Sequence, residues 1–279
     1  RAVSYGNKID VDDIDLIEYF GEDDKTKLII MYLEGLKPGR GRLFIEKAKK
    51  VVQQKPIIIY KAGKTARGSV AAASHTAALA GNYELYKAAI KQAGLIEAES
   101  FDEIMDLSKI LLTQPLMKGD RVYVVTDAGG VGVMLTDALT MQGFTLPRTP
   151  DDLKKELREI LPPHCIVENP IDLTGDADDK RYIDVLEKLL PRDDVDAVVV
   201  VALPQIPGLK GELFDYMVEA KTKYSKPMIV IMIGSHEAEK YGKFLEEKGI
   251  PVFESPERAA RALKALYTYS LIRGVVSKK

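Results

Sequence analysis

Residues Lys61 to Gly81 read KAGKTARGSVAAASHTAALAG and set one histidine, His75, between two hydroxyl residues, Ser74 and Thr76. Apart from Val70, no bulky apolar side chain occurs before Leu79, so the stretch is not built to hold a core. Small side chains let backbone or ligand approach closely. Lys64, Thr65, Arg67, Ser69, Ser74 and Thr76 add the cations and donors that gather around phosphate. Two readings of His75 stand side by side: a nucleophile in a phosphate-handling segment, or a structural or exposed histidine.

A nucleophilic imidazole needs an acceptor on its second nitrogen, and in α/β folds such groups lie at the C-terminal ends of parallel strands. Glu34 stands there, after the run LIIMYL and before the turn GLKPGRG, although a glutamate after a strand is also a common surface residue. A second candidate site lies in RVYVVTDAGGVGVMLTDAL, where Gly129, Gly130 and Gly132 follow a strand and open a helix. Such a start can present backbone N–H groups to an anion, or the glycines can serve only a tight strand-to-helix turn. The spacing is not GxGxxG, and Arg148 rather than an acidic residue follows FTLP, which favours a phosphate cradle over a dinucleotide site. The segment Glu168–Asp178 (ENPIDLTGDAD) is predicted as a polar loop, with Asp172 and Thr174 lining the same cleft or Asp176 capping the next helix. His164 and His236 are read as bland, with His236 at a helix start after Ser235. Cys165 has no histidine–acid pair beyond His164 and is not expected to be a catalytic thiol. No HxH, HExxH or paired-cysteine spacing occurs, so no metal site is expected.

The elements that must carry these residues alternate short β-branched runs with amphipathic stretches, the pattern of βαβ units around parallel sheets. Strands are predicted over 27–33, 56–61, 95–98, 121–126, 197–202, 227–233 and 251–253. Helices are predicted over 43–54, 83–93, 102–112, 131–142, 151–161, 181–190, 213–224, 238–248 and 256–269. AVVVVAL and KPMIVIMIG lack polar alternation, as strands buried on both faces do. The fold class is therefore α/β with parallel sheets, in two domains, 1–115 and 119–279, meeting at QPLMKG. The halves repeat one plan: KPIIIYKAG recurs as KPMIVIMIG, and AGLIEAESFDEIMDLSKIL is echoed by KGIPVFESPERAARALKAL. From Gly63 to Gly94 is 31 positions, whereas from Gly234 to Gly249 is 15, so the first copy carries about sixteen extra residues. They are predicted as an inserted small-residue loop holding His75, and long insertions in compact domains are usually functional or disordered.

Lysine plus arginine (40) nearly balances aspartate plus glutamate (42), which removes nucleic acid and anionic membrane as expected partners. A single cysteine excludes an internal disulfide framework and fits a reducing, cytoplasmic setting. No run approaches a membrane span and no signal peptide is visible. The chain opens on an arginine, so a missing upstream portion is expected.

Three segments in order, KAGKTARGSVAAASHTAALAG, RVYVVTDAGGVGVMLTDAL and NPIDLTGDAD, together with GNKIDVDDIDLIEYF and IIMYLEG, resemble the NDP-forming acyl-CoA synthetases over essentially the whole chain. The α subunits of ADP-forming acetyl-CoA synthetases are the archaeal type, and succinyl-CoA synthetase is a more distant relative. The resemblance implies two flavodoxin-like domains, His75 as the phosphorylated histidine and Glu34 as the glutamate that contacts it. It implies that Gly129, Gly130, Val131 and Gly132 begin a helix whose N-terminus holds phosphate, with Ser74 and Thr76 completing the phosphate-binding set. The reaction implied is acyl-CoA, ADP and phosphate to acid, CoA and ATP, through an acyl phosphate and a phosphohistidine. CoA, ADP or ATP and Mg²⁺ are then expected not on this chain but on an N-terminal CoA-binding domain and an ATP-grasp β subunit or domain, in a hetero-oligomer. Ala77 stands where the family reads glycine, which stiffens the segment. The rivals are a relative acting on aryl or branched acyl groups and a non-catalytic regulatory or scaffold module of a CoA-linked complex.

Overall fold

The computed structural model describes the backbone of residues 1–76 and 82–276, and the side chains of these except 72–76. The chain divides into two units, one of Arg1–Leu112 with Leu271–Gly274, the other of Thr113–Ser270 rejoined from Val275.

In the first unit the order is α1 (Asp13–Glu22), β1 (Ile29–Leu33), α2 (Gly41–Val52), β2 (Ile57–Lys61), α3 (Ala66–Thr76), α4 (Tyr83–Ala93), β3 (Ile96–Glu97) and α5 (Phe101–Thr113). Its described strands form a parallel sheet in the order β1-β2-β3. β1 and β2 pair from Ile29 beside Ile57 to Leu33 beside Lys61. β1 alternates, burying Ile29, Met31 and Leu33 while leaving Ile30 and Tyr32 exposed. Its inward face packs with Ile57, Ile59, Phe44, Ala48, Ile90 and the α1 residues Ile14 and Ile17.

The second unit runs β4 (Val122–Thr126), α6 (Gly129–Met141), α7 (Asp151–Ile160), β5 (Ile171–Asp172), α8 (Asp179–Leu189), β6 (Ala197–Val201), α9 (Glu212–Lys223), β7 (Met228–Ile231), α10 (His236–Glu247), β8 (Val252–Phe253) and α11 (Pro256–Ile272). Its sheet is parallel, in the order β5-β4-β6-β7-β8. β4, β6 and β7 are buried along their whole length, as the unbroken apolar runs of β6 and β7 predict for those two.

The repeat is visible in backbone geometry. β2 and β7 are followed by Gly63 and Gly234 at φ 72° and 88°, and α4 and α10 are closed by Gly94 and Gly249, both at φ 76°. A left-handed residue after a helix lets the last carbonyls be capped, and there glycine carries no Cβ penalty. Gly94 N–H donates to Lys91 and Gly249 N–H to Glu246.

Three elements differ from the sequence reading. The predicted loop of the insertion is helical over 66–76: Thr65 Oγ1 accepts from Gly68 N–H at 3.0 Å, and alanine, the best helix former, supplies the rest. The predicted polar loop Glu168–Asp178 holds β5, and Asn169 beside it exchanges hydrogen bonds with Val124 N–H and Val122 C=O of β4. Helix α1, which the pattern missed, is started by a reciprocal cap in which Asp12 accepts from Ile14 N–H and Asp15 from Asp12 N–H.

Two alanine substitutions should move stability in opposite directions. Gly94→Ala, at positive φ, is expected to lower unfolding stability by about 1–2 kcal/mol. Gly41→Ala, at the start of α2 with no atom within 4 Å of the added Cβ, is expected to be neutral or to raise it by up to about 1 kcal/mol. Urea unfolding of both variants measures the contrast.

Candidate functional site

Because β1 and β2 end side by side, with Leu33 beside Lys61, Glu34 and the segment leading to His75 leave the same edge of one parallel sheet. His75 is the penultimate residue of α3. The side chains of Ser74, His75 and Thr76, and Ala77 altogether, lie outside the described residues. Glu34 follows β1 directly, and Tyr32 O–H donates to its Oε1 at 3.2 Å.

The polar groups around this edge are more engaged than their sequence pattern predicts. Lys64, read among the phosphate-gathering cations, forms an ion pair with Glu97 Oε1 at 2.7 Å and lies near the rings of Tyr60 and Tyr83. Burial works against its ammonium, yet the hydrogen bond and charge of Glu97 outweigh this and raise its pKa. Tyr83 O–H donates to the same carboxylate at 2.9 Å. Gly63, Lys64, Thr65, Ala66, Ser69, Asn82 and Tyr83 border an open cleft of about 210 Å³ at the start of α3. Lys61 at the end of β2 is 1 % exposed, and burial pushes its pKa down against the pull of Glu34 and Glu97. Lys61, Tyr83, Tyr86 and Glu97 escaped the sequence reading because each sits in an apolar or helical pattern; only the fold gathers them at one sheet edge.

In the second unit, Thr126 closes β4 and its Oγ1 accepts from Ala128 N–H at 3.0 Å, turning the chain into α6. The glycines then divide by role. Gly132 N–H donates to Ala128 C=O at 3.0 Å, and a Cβ on Gly132 would meet Thr126 Cγ2 at 3.1 Å. The Gly132 amide is thus taken up within the helix, and the residue packs closely against Thr126. The N–H groups of Gly129, Gly130 and Val131 are those that a helix start leaves without intrahelical acceptors. Gly130 is exposed and open, whereas a Cβ on Gly129 would lie 2.6 Å from Asp172 Oδ2. No side-chain cap serves this start.

Carboxylates rather than cations flank it. Asp172 Oδ1 accepts from Thr174 N–H at 2.8 Å, which holds Thr174 at φ 65°. Asp127 is 3 % exposed; its Oδ2 accepts from Leu203 N–H at 2.9 Å, and its buried Oδ1 has no hydrogen-bond partner among the described residues. Burial pushes the Asp127 carboxyl up to about 6, with Asp172 adding in the same direction. Asp176 does not cap α8: Asp178 does, accepting from Arg181 N–H, while Asp176 grips the Arg181 guanidinium, which holds its carboxyl well below the usual range. His164 Nε2 lies 3.3 Å from the same Asp176, and His236 begins α10 exposed after its Ser235 cap. Cys165 is buried with its thiol pushed up by desolvation. Among the described residues, no group of three or more His, Cys, Asp or Glu side chains is placed to hold a metal, and no helix is long and apolar enough to cross a membrane.

The family described as a succinyl-CoA ligase like flavodoxin domain matches residues 1–111, and the family described as a Ligase-CoA domain matches residues 122–276. The alpha subunit of acetate–CoA ligase [ADP-forming] I of Pyrococcus furiosus is 40% identical over 271 residues, covering 96% of this chain and 58% of that protein. The alpha subunit of the second such ligase of that organism is 39% identical over 95% of this chain and 58% of its own length. Among solved structures, dinucleotide forming acetyl-coenzyme A synthetase 1 of Candidatus Korarchaeum cryptofilum, in complex with phosphate and ADP, is similar with a TM-score of 0.91 at 40% identity. The likeness covers 98% of this chain and 59% of that one. The chain thus spans little more than half the length of each of these relatives.

The buried Asp127 sets a pH dependence. Its folded pKa of about 6 lies above the ordinary 3.8, so the fold prefers the protonated form. That contribution is complete below pH 3.8 and lost as pH rises through about 6. Asp127→Asn should keep an acceptor for Leu203 N–H, and its stability relative to wild type should climb between pH 4 and 7 by up to about 3 kcal/mol. Thermal unfolding across that range reads the difference.

Proposed function

Because the chain belongs to the family of NDP-forming acyl-CoA synthetases, we propose that it is the phosphohistidine-bearing part of an ADP-forming acetyl-CoA synthetase. The reaction is acyl-CoA plus ADP and phosphate giving acid, CoA and ATP. Phosphate attacks the thioester carbonyl and CoA leaves as the thiol, giving an acyl phosphate. An imidazole nitrogen of His75 then takes the phosphoryl group, breaking the P–O bond to release the carboxylate, and later yields it to ADP with cleavage of the P–N bond. CoA is assigned to a CoA-binding domain, and ADP with Mg²⁺ to an ATP-grasp subunit or domain, each outside this chain.

The observation that supports this reading is the shared sheet edge: β1 is followed there by Glu34, and β2 by the segment that opens the inserted helix bearing His75. A carboxylate there can accept from one imidazole nitrogen and hold the other toward phosphorus. The N–H groups of Gly129, Gly130 and Val131 are the candidate phosphate donors, because fixed backbone dipoles stabilise a transferring phosphoryl group without reorganising.

The test uses the assembled enzyme, labelled at its terminal phosphate by ATP and Mg²⁺. Wild type should acquire an acid-labile protein phosphate, and His75→Ala should acquire none; a label that survives removes His75 from the reaction and favours a scaffold module. Glu34→Gln should label more slowly by about 10²-fold or more with unchanged unfolding. A wild-type rate in that variant removes Glu34 from its role.

A further inference from the structure

The segment Glu34–Gly35–Leu36 is held by its main chain, from three sides. Lys61 Nζ, from the end of β2, donates to Glu34 C=O at 2.7 Å and also to Ala62 C=O. Lys8 Nζ, from the N-terminal segment, donates to Gly35 C=O at 2.7 Å and is itself held by Asp13. Tyr86, from α4, accepts at its hydroxyl from Leu36 N–H at 3.0 Å. The Lys61 ammonium also lies 4.6 Å from the centre of the Tyr86 ring, so two of the three ties brace one another.

Lys61 is the costly member of this set. It is 1 % exposed, and among the described residues no carboxylate lies within ion-pair distance of it. A buried ammonium held by carbonyl oxygens and a ring face, with Glu34 and Glu97 attracting it without an ion pair, is expensive, and an apolar side chain of similar length often serves a core as well or better. Stability therefore does not account for a lysine here. Its geometry does: it ties the main chain beyond β1 to the C-terminal end of β2, the two strands that precede Glu34 and the His75 segment.

Resting on the reading of His75 and Glu34 above, we infer that Lys61 is a positioning residue that fixes the Glu34 backbone, and hence its carboxylate, for phosphoryl transfer at His75, with Tyr86 as its co-tether. Displacement of a catalytic group by about 1 Å is enough to slow a reaction about 10²-fold, so a loosened Glu34 appears in rate rather than in folding.

The experiment is a double-mutant cycle in the assembled enzyme, reading the rate of acid-labile labelling from ATP. Lys61→Met should remain folded and label about 10- to 100-fold more slowly. Added to Glu34→Gln, it should cause little further loss, because both changes remove one function. A merely structural lysine would slow both backgrounds by the same factor, and that result overturns the inference, as does a wild-type rate in Lys61→Met while Glu34→Gln is impaired. If Lys61→Met fails to fold, Tyr86→Phe, which keeps the ring and removes the acceptor for Leu36 N–H, carries the same cycle with the same criteria. A wild-type rate in Glu34→Gln is the separate result that overturns the underlying assignment of Glu34 and this inference with it.

Discussion

The parallel pairing of β1 with β2, kept in register to Leu33 beside Lys61, is the constraint from which the first unit's chemistry follows. Parallel strands put their C-terminal ends together, so whatever succeeds them emerges at a common edge. Here those successors are Glu34 and the helix that bears His75. The pairing is itself secured by burial of Ile29, Met31 and Leu33 against Ile57, Ile59 and the helices behind them. Core packing and site geometry are thus one arrangement: a slip of one residue would turn Leu33 outward and move Glu34 off the edge.

The second unit uses the same strand–helix grammar with different electrostatics. At the start of α6, no side chain caps the backbone donors, and Asp172 lies close beside Gly129. The backbone N–H groups of a helix start favour negative charge, whereas carboxylates beside it oppose it. Asp172, Thr174 and Gly129 also constrain one another: the carboxylate that orders the Thr174 turn occupies the space a side chain at position 129 would need.

Much of this was legible in the residues. Unbroken apolar runs marked β6 and β7, and the recurrence of KPIIIYKAG as KPMIVIMIG exposed the repeat and its insertion. The left-handed glycines after equivalent strands and helices give that repeat a geometric basis. The helical state of 66–76 was missed because α3 has no amphipathic period; its signals are a Thr65 cap and alanine propensity, both local. Lys61 and Tyr86 could not be read as a pair, since their meeting depends on α4 folding back over the sheet edge, which no spacing along the chain encodes. Gly132 looked like its neighbours in sequence, and its hydrogen bond to Ala128 and its closeness to Thr126 emerge only from the fold.

The three ties on Glu34–Leu36 grip carbonyl and amide groups, not side chains. The loop's path consequently depends on Lys8, Lys61 and Tyr86, which lie 27, 27 and 50 positions away from the groups they hold. Leu36 adds its own packing against the core, but much of the burden of keeping the turn in place falls on residues that a comparison confined to the turn itself would overlook.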